Sequence, residues 1–207
     1  EQVSVDECYM DFTGIADRWN SPVDGAVEIK DGIRERFGFT VNIGISTNKL
    51  LAKMASDFEK PDRIHTLYPE EIKEMMWPLP IGELYMAGKS SGEVLKKLEI
   101  NTIGDLAQSD PRLIMLHLKS HGKMLWDFAN GIGTSVVQSE PDEAKGIGNS
   151  TTLSEDAATM EEIRPVFERL AQSVGGRLKK AGKKAGMVSM EIKYYDFRTV
   201  SHQIQMD

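Results

Sequence analysis

Apolar residues recur at helical spacing over residues 22–37, at Val23, Ala26, Val27, Ile33 and Phe37, and the run closes near Gly38. That pattern predicts a helix with a glycine stop. Phe39, Val41, Ile43 and Ile45 then alternate with other residues, as a half-buried strand does. Helical spacing returns at Leu50, Leu51, Met54, Ala55 and Phe58, with Ser46 or Thr47 as a possible cap and Lys60-Pro61-Asp62 as a breaker. Residues 64–67 read as a short strand, and Pro69 opens a short helix. Near the start the phase changes. Val3 and Val5 are apolar at odd positions, whereas Cys8, Met10 and Phe12 are apolar at even ones. A strand keeps one parity for its buried face, so the flip predicts a turn or bulge at Asp6-Glu7.

Further along, Trp77-Pro78-Leu79-Pro80 reads as a rigid linker and a domain boundary. Short helices follow to about residue 131. Those at 90–98 and 102–108 flank Glu99-Ile100-Asn101, and Asp110-Pro111 supplies an N-cap and a proline at the first helical position of another. The polar, glycine-bearing stretch 131–146 is a second linker. After it the pattern predicts a strand near 147–153, a helix near 159–180, and strands near 186–195 and 198–206, the chain stopping inside the last.

The 207 residues suffice for one large or two to three small domains. No apolar run approaches the roughly 20 residues that span a bilayer, and carboxylates in residues 1–15 argue against a signal peptide. The one cysteine, Cys8, permits neither an internal disulfide nor a cysteine zinc cluster, and its alternation with core positions predicts a buried, inert thiol. The formal charge of −7 argues mildly against a nucleic-acid partner. Its distribution weakens that objection: net −6 over residues 1–80, −3 over 81–144 and +2 over 145–207. A phosphate-facing surface needs a local basic patch rather than a basic total. Gly175-Gly176-Arg177-Leu178-Lys179-Lys180-Ala181-Gly182-Lys183-Lys184 carries five basic residues and no acid. It reads equally as a solvated helix end, where cations are favourable, or as a track for a DNA backbone.

Three motifs carry chemistry. Val3-Ser4-Val5-Asp6-Glu7-Cys8-Tyr9-Met10-Asp11 places adjacent carboxylates at the expected turn. Magnesium takes oxygen ligands, commonly one or two carboxylates with phosphates and water, and paired ions can stabilise both oxygens of an in-line displacement. On a flat strand, neighbouring side chains would point to opposite faces, so a turn is what lets both serve one site. The second motif is Gly44-Ile45-Ser46-Thr47-Asn48-Lys49-Leu50-Leu51-Ala52-Lys53-Met54-Ala55-Ser56 with Lys60-Pro61 after it. The third is Thr102-Ile103-Gly104-Asp105-Leu106-Ala107 behind Leu95-Lys96-Lys97-Leu98. Taken singly, Asp6-Glu7 could be a solvated acidic turn and Lys60 a surface lysine.

Together, in this order and spacing, the motifs resemble the Y-family (translesion) DNA polymerases over essentially the whole chain. The resemblance implies an α+β fold: a partial palm over 1–76, with a mixed sheet and helices; a small helical thumb with a helix-hairpin-helix element over 77–144; and a partial α/β little-finger domain over 145–207. It implies Asp6 and Glu7 as catalytic metal ligands for two Mg2+ ions, and Lys60 as a contact to the incoming deoxynucleoside triphosphate. Asn48, Lys49 and Lys53 fall near that site. Gly88 and Lys89 of the thumb hairpin, with Lys179, Lys180, Lys183 and Lys184, would face DNA. Where the family has glycine in the hairpin, this chain has Met86 in Met86-Ala87-Gly88-Lys89, which departs from the backbone approach that glycine allows. Implied partners are primer-template DNA, deoxynucleoside triphosphates and, through a region past residue 207, a sliding clamp; the setting is the bacterial cytoplasm, with no membrane. The family's first-strand aspartate and its fingers fall before residue 1, so the chain is expected to be an inactive fragment. A non-catalytic DNA-binding module is the alternative, in which Asp6-Glu7 would be structural. A small-molecule α/β enzyme ranks last, because no glycine-rich phosphate loop is present.

Overall fold

A computed structural model of the chain describes residues 1–140 and 143–206, which divide into two compact units, Glu1–Pro141 and Asp142–Asp207.

The first unit opens on a tight ribbon. Gln2 and Cys8 form an isolated antiparallel bridge, and the amides of Val3 and Ser4 both donate to the Glu7 carbonyl. The expected bend at Asp6-Glu7 is present, flanked by a single bridge rather than by paired strands. So short a ribbon leaves Cys8 exposed rather than buried. A 3-10 turn at Thr13–Arg18 leads to helix α1, Pro22–Phe37, capped by Ser21 and ended by Gly38 at φ 72°. Strand β1 is confined to Ile43–Ile45, because Phe39 is exposed and only the last part of the alternating run finds a partner. Helix α2, Lys49–Asp57, follows, and β1 pairs in parallel with β2, Ile64–Thr66, in the register Ile43↔Ile64, Gly44↔His65, Ile45↔Thr66. The cap of α2 is Asn48 rather than Ser46 or Thr47. Its side chain accepts from the Leu51 amide, while Ser46 Oγ is committed to the Leu67 carbonyl.

The helical part then runs through a 3-10 turn at Pro69–Glu71, a π-helical turn at Ile72–Met76 and another 3-10 turn at Ile81–Glu83. Helices α3 (Lys89–Lys97), α4 (Ile103–Gln108) and α5 (Pro111–Ala129) complete the unit. Thr102 and Asp105 close a capping box on α4, and Asp110 caps α5 ahead of Pro111 as the sequence predicts. Helix α5 is kinked at Lys119, where φ is 53°. One core joins α2 to α5 through Leu51, Met54, Leu67, Met76, Ile81, Leu95, Ile103, Leu106, Ile114 and Leu125. Trp77 and Leu79 of the expected linker pack against it, and the Trp77 indole donates to the Ala129 carbonyl.

In the second unit, α6 spans Met160–Lys180 behind a Thr159–Glu162 capping box, and β3 (Met187–Lys193) and β4 (Thr199–Gln205) form an antiparallel hairpin. Residues 147–153, expected as a strand, are not one. The Gly148 carbonyl accepts from Arg177 and the Asn149 side chain donates to the Ser173 hydroxyl, both on α6, and no described strand pairs with the stretch. The stretch 131–146 forms no helix or strand among the described residues; residues 141 and 142 within it, and residue 207 after β4, lie outside them. No described helix is long and apolar enough to cross a membrane.

Candidate functional site

The Asp6-Glu7 turn and α2 meet through charge. Asp6 accepts a 2.7 Å hydrogen bond from the Ser4 hydroxyl, so Ser4 supports the turn. The Glu7 carboxylate lies 2.5 Å from the ammonium of Lys53. Lys53 also reaches Asp57, at 3.3 Å and one helical turn on, and Asp57 is held from its other side by Lys60 at 2.7 Å. The result is an alternating line of charge, Glu7–Lys53–Asp57–Lys60, between the two residue pairs that the motifs single out. Burial would lower the Lys53 ammonium, but the bonds to Glu7 and Asp57 outweigh it and hold its pKa above the ordinary lysine value. For Asp57, burial acts upward and the two lysines prevail, so its carboxyl titrates below the usual range.

Local sequence explains this placement. Gly44 sits where β1 crosses closest to α2: a Cβ there would collide with the Ala52 carbonyl and the Ser56 amide. The glycine thus lets the helix lie directly on the strand, with Lys53 and Asp57 at its rim. Asn48 donates from its amide to the Gly131 carbonyl while capping α2, tying the helix start to the segment after α5. Lys49 turns the other way. It pairs with Glu1 at 2.7 Å and lies 5.5 Å from the Tyr9 ring centroid. Burial, with a smaller push from Tyr85, raises the Tyr9 phenol to about 12.

The remaining candidates lie elsewhere. Gly88 is the N-cap of α3, and Lys89 is its first residue; both are exposed beside a depression of about 310 Å3 lined by Gly82, Ala87, Gly92 and Lys96 among others. Met86 holds φ 69°, the left-handed region that glycine favours, and its side chain is exposed. Lys179 and Lys180 end α6 and are exposed, as is Lys184. Lys183 pairs with Glu143 at 2.9 Å, and Arg177 donates to the Gly148 carbonyl. Part of the basic run is therefore already engaged.

Asp57 was missed by motif reasoning. Its signal was present in the spacing: four residues after Lys53, on one face of α2, and three before Lys60, which lies just past the end of the helix. Among the described residues, no cluster of three or more His, Cys, Asp or Glu side chains could hold a metal ion. Magnesium commonly takes one or two carboxylates with phosphate and water filling the remaining positions, and Asp6 and Glu7 are adjacent carboxylates at the turn.

Comparison with known proteins agrees with the motifs. The model of the impB/mucB/samB family matches residues 1–57, and that of the family's C-terminal domain matches residues 144–207. This chain belongs to the impB/mucB/samB family. Similar members include DNA polymerase IV of Clostridium acetobutylicum, 49% identical over 98% of this chain and 51% of the relative, and DNA polymerase IV 1 of Bacillus subtilis, 40% identical over 97% and 49%. The chain thus spans about half the length of the curated relatives it matches. A chimeric Y-family DNA polymerase structure superposes with a TM-score of 0.80 at 21% identity, over 95% of this chain and 56% of that one. The α+β fold is that of a Y-family polymerase portion, and the family resemblance drawn from the motifs stands.

Proposed function

We propose that this chain is part of a lesion-bypass DNA polymerase, in which Asp6 and Glu7 hold catalytic magnesium and Lys60 meets the triphosphate of the incoming nucleotide. Residues 1–76 would be a partial palm, 77–144 the thumb, and 145–207 a partial little finger. The carrying observation is the line of charge that runs from Glu7 of the turn through Lys53 and Asp57 of α2 to Lys60 just past the helix end. It puts a carboxylate able to ligate a metal and an ammonium able to donate to a phosphate on one stretch of surface. Magnesium, when bound, would stabilise the attacking and leaving oxygens of the phosphoryl transfer. The chain's own side chains bind and orient. Ser4 steadies Asp6, Lys53 screens Glu7, and Lys60 offers an exposed ammonium to a phosphate. The whole polymerase would take primer-template DNA and deoxynucleoside triphosphates, and would reach a sliding clamp through a region outside this chain; its setting would be the bacterial cytoplasm. The isolated chain, with only two carboxylates at the turn, would not extend a primer.

A second reading, a DNA-binding module without catalysis, is favoured by the pairing of Glu7 with Lys53, which neutralises one proposed metal ligand. One titration separates the two. The chain should bind a deoxynucleoside triphosphate only when magnesium is present, and Asp6→Ala should abolish that binding. Metal-independent binding, or an Asp6→Ala variant that binds normally, favours the second reading. DNA affinity adds a further check. Each neutralised phosphate should contribute about −0.9 to the log-log salt slope on duplex. Replacing Lys179, Lys180, Lys183 and Lys184 with alanine should shrink that slope; an unchanged slope would mean that DNA meets the protein elsewhere, Gly88 and Lys89 at the start of α3 being the next candidates.

A further inference from the structure

We propose that Asp57 is an internal counter-charge that competes with phosphate for the ammonium groups of Lys60 and Lys53, and so limits how tightly this surface holds a triphosphate. The inference rests on the reading of Lys60 as a phosphate contact. Asp57 touches both lysines, at 2.7 Å and 3.3 Å, in a place where the helix itself does not favour an acid. It is the last residue of α2, where the helix dipole disfavours a carboxylate, and the last turn contains no basic residue to offset it. Its pairing with Lys53 has the lysine N-terminal to the acid, the weaker orientation for an i,i+4 pair. A carboxylate in this position therefore serves the two lysines rather than the helix. Its depressed titration, won against burial, says the same.

The competition follows from charge. Lys60 is 58% exposed and Asp57 38% exposed, so the pair can open at little cost and present the ammonium to an anion. Lys53 is far less exposed and is shared with Glu7. A phosphate arriving at Lys60 must displace Asp57 or tolerate its negative charge nearby. Either way Asp57 weakens anion binding, and its removal frees the Lys60 ammonium and leaves Lys53 paired with Glu7 alone.

Calorimetric titration of the chain with inorganic triphosphate, at one fixed saturating magnesium concentration, tests this. Asp57→Asn should bind about two- to fivefold more tightly than the wild type, a ceiling set by the small worth of exposed ion pairs. Asp57→Glu, which retains the charge, should bind like the wild type. Lys60→Ala should bind more weakly, and adding Asp57→Asn to it should recover less than Asp57→Asn gains alone. Unchanged thermal unfolding of Asp57→Asn would show that the gain is not a change of fold. If Lys60→Ala weakens binding but Asp57→Asn binds equally or more weakly, the counter-charge proposal is overturned and the phosphate role of Lys60 survives. If Lys60→Ala binds like the wild type, or nothing binds, that role fails and the proposal fails with it.

Discussion

The two units differ in where their apolar residues go. Every fully buried apolar side chain among the described residues lies between Ala26 and Ala129, in the first unit. In the second, α6 contains no buried residue and the β3–β4 hairpin is exposed almost throughout. Yet the local signals are no weaker there. Helix α6 has a full capping box, and the hairpin is amphipathic: Val188, Met190 and Ile192 pair with Ile204, His202 and Val200 on one face, while Ser189, Glu191 and Lys193 pair with Gln203, Ser201 and Thr199 on the other. Caps and alternation define elements; only a second apolar layer turns them into a core. A lone two-stranded hairpin is marginal in water.

Trp19, Trp77 and Trp126 all lie in the first unit, so tryptophan fluorescence reads that unit, and circular dichroism reads both. The largest contrast should come from truncating an apolar side chain in each. Leu125→Ala, at a position with no exposure, should cost about 2–5 kcal/mol in the urea transition followed by fluorescence. Ile204→Ala, at 58% exposure, should leave that transition unmoved and change the dichroism transition by less than about 0.5 kcal/mol. A comparable cost for both would mean that the hairpin face is covered in solution.

Next is Gly44→Ala. The added Cβ meets the backbone of α2, which cannot step aside as a side chain could, so about 1–3 kcal/mol or more should be lost, again by fluorescence. The same change should also disturb triphosphate binding, because it lifts α2 and with it Lys53 and Asp57.

A smaller effect concerns the cap of α4. Thr102→Ala should cost about 1 kcal/mol. The backbone amides of Thr102 and Asn101 hold the Asp105 carboxyl below its ordinary value of 3.8. A depressed carboxylate adds stability that is fully present above pH 3.8 and is lost as pH falls through the folded-state value. Asp105→Asn should therefore flatten the acid limb of the stability profile below about pH 4. An unchanged limb would assign acid sensitivity to other carboxylates.

The smallest effect has the opposite sign. Gly176 lies inside α6 with open space around its missing Cβ. Gly176→Ala should stabilise the helix by about 0.5–1 kcal/mol, seen as a later dichroism transition with unchanged fluorescence. Where the first unit cannot accept a methyl at Gly44, the second should gain from one.

The local elements and the family could be read along the chain. The Val3–Asp11 and Gly44–Ser56 motifs, the bend at Asp6-Glu7, α1 with its Gly38 stop, the Asp110 cap, α6 and the terminal hairpin were all legible, because each depends on residues within a few positions of one another. What depended on distant partners was not legible. Residues 147–153 have only Ile147 and Leu153 as apolar residues, and a strand exists only when another edge pairs with it; here the Gly148 carbonyl accepts from Arg177 and the Asn149 side chain donates to the Ser173 hydroxyl, both on α6. Cys8 alternates like a core residue, yet the ribbon that bears it is too short to bury it. The pairing of Lys53 with Glu7 joins residues 46 positions apart, and only the packing of α2 on β1 over Gly44 puts that helix rim within reach of the turn. Periodicity records which face of an element is apolar; tertiary structure decides what that face meets and which charges end up adjacent.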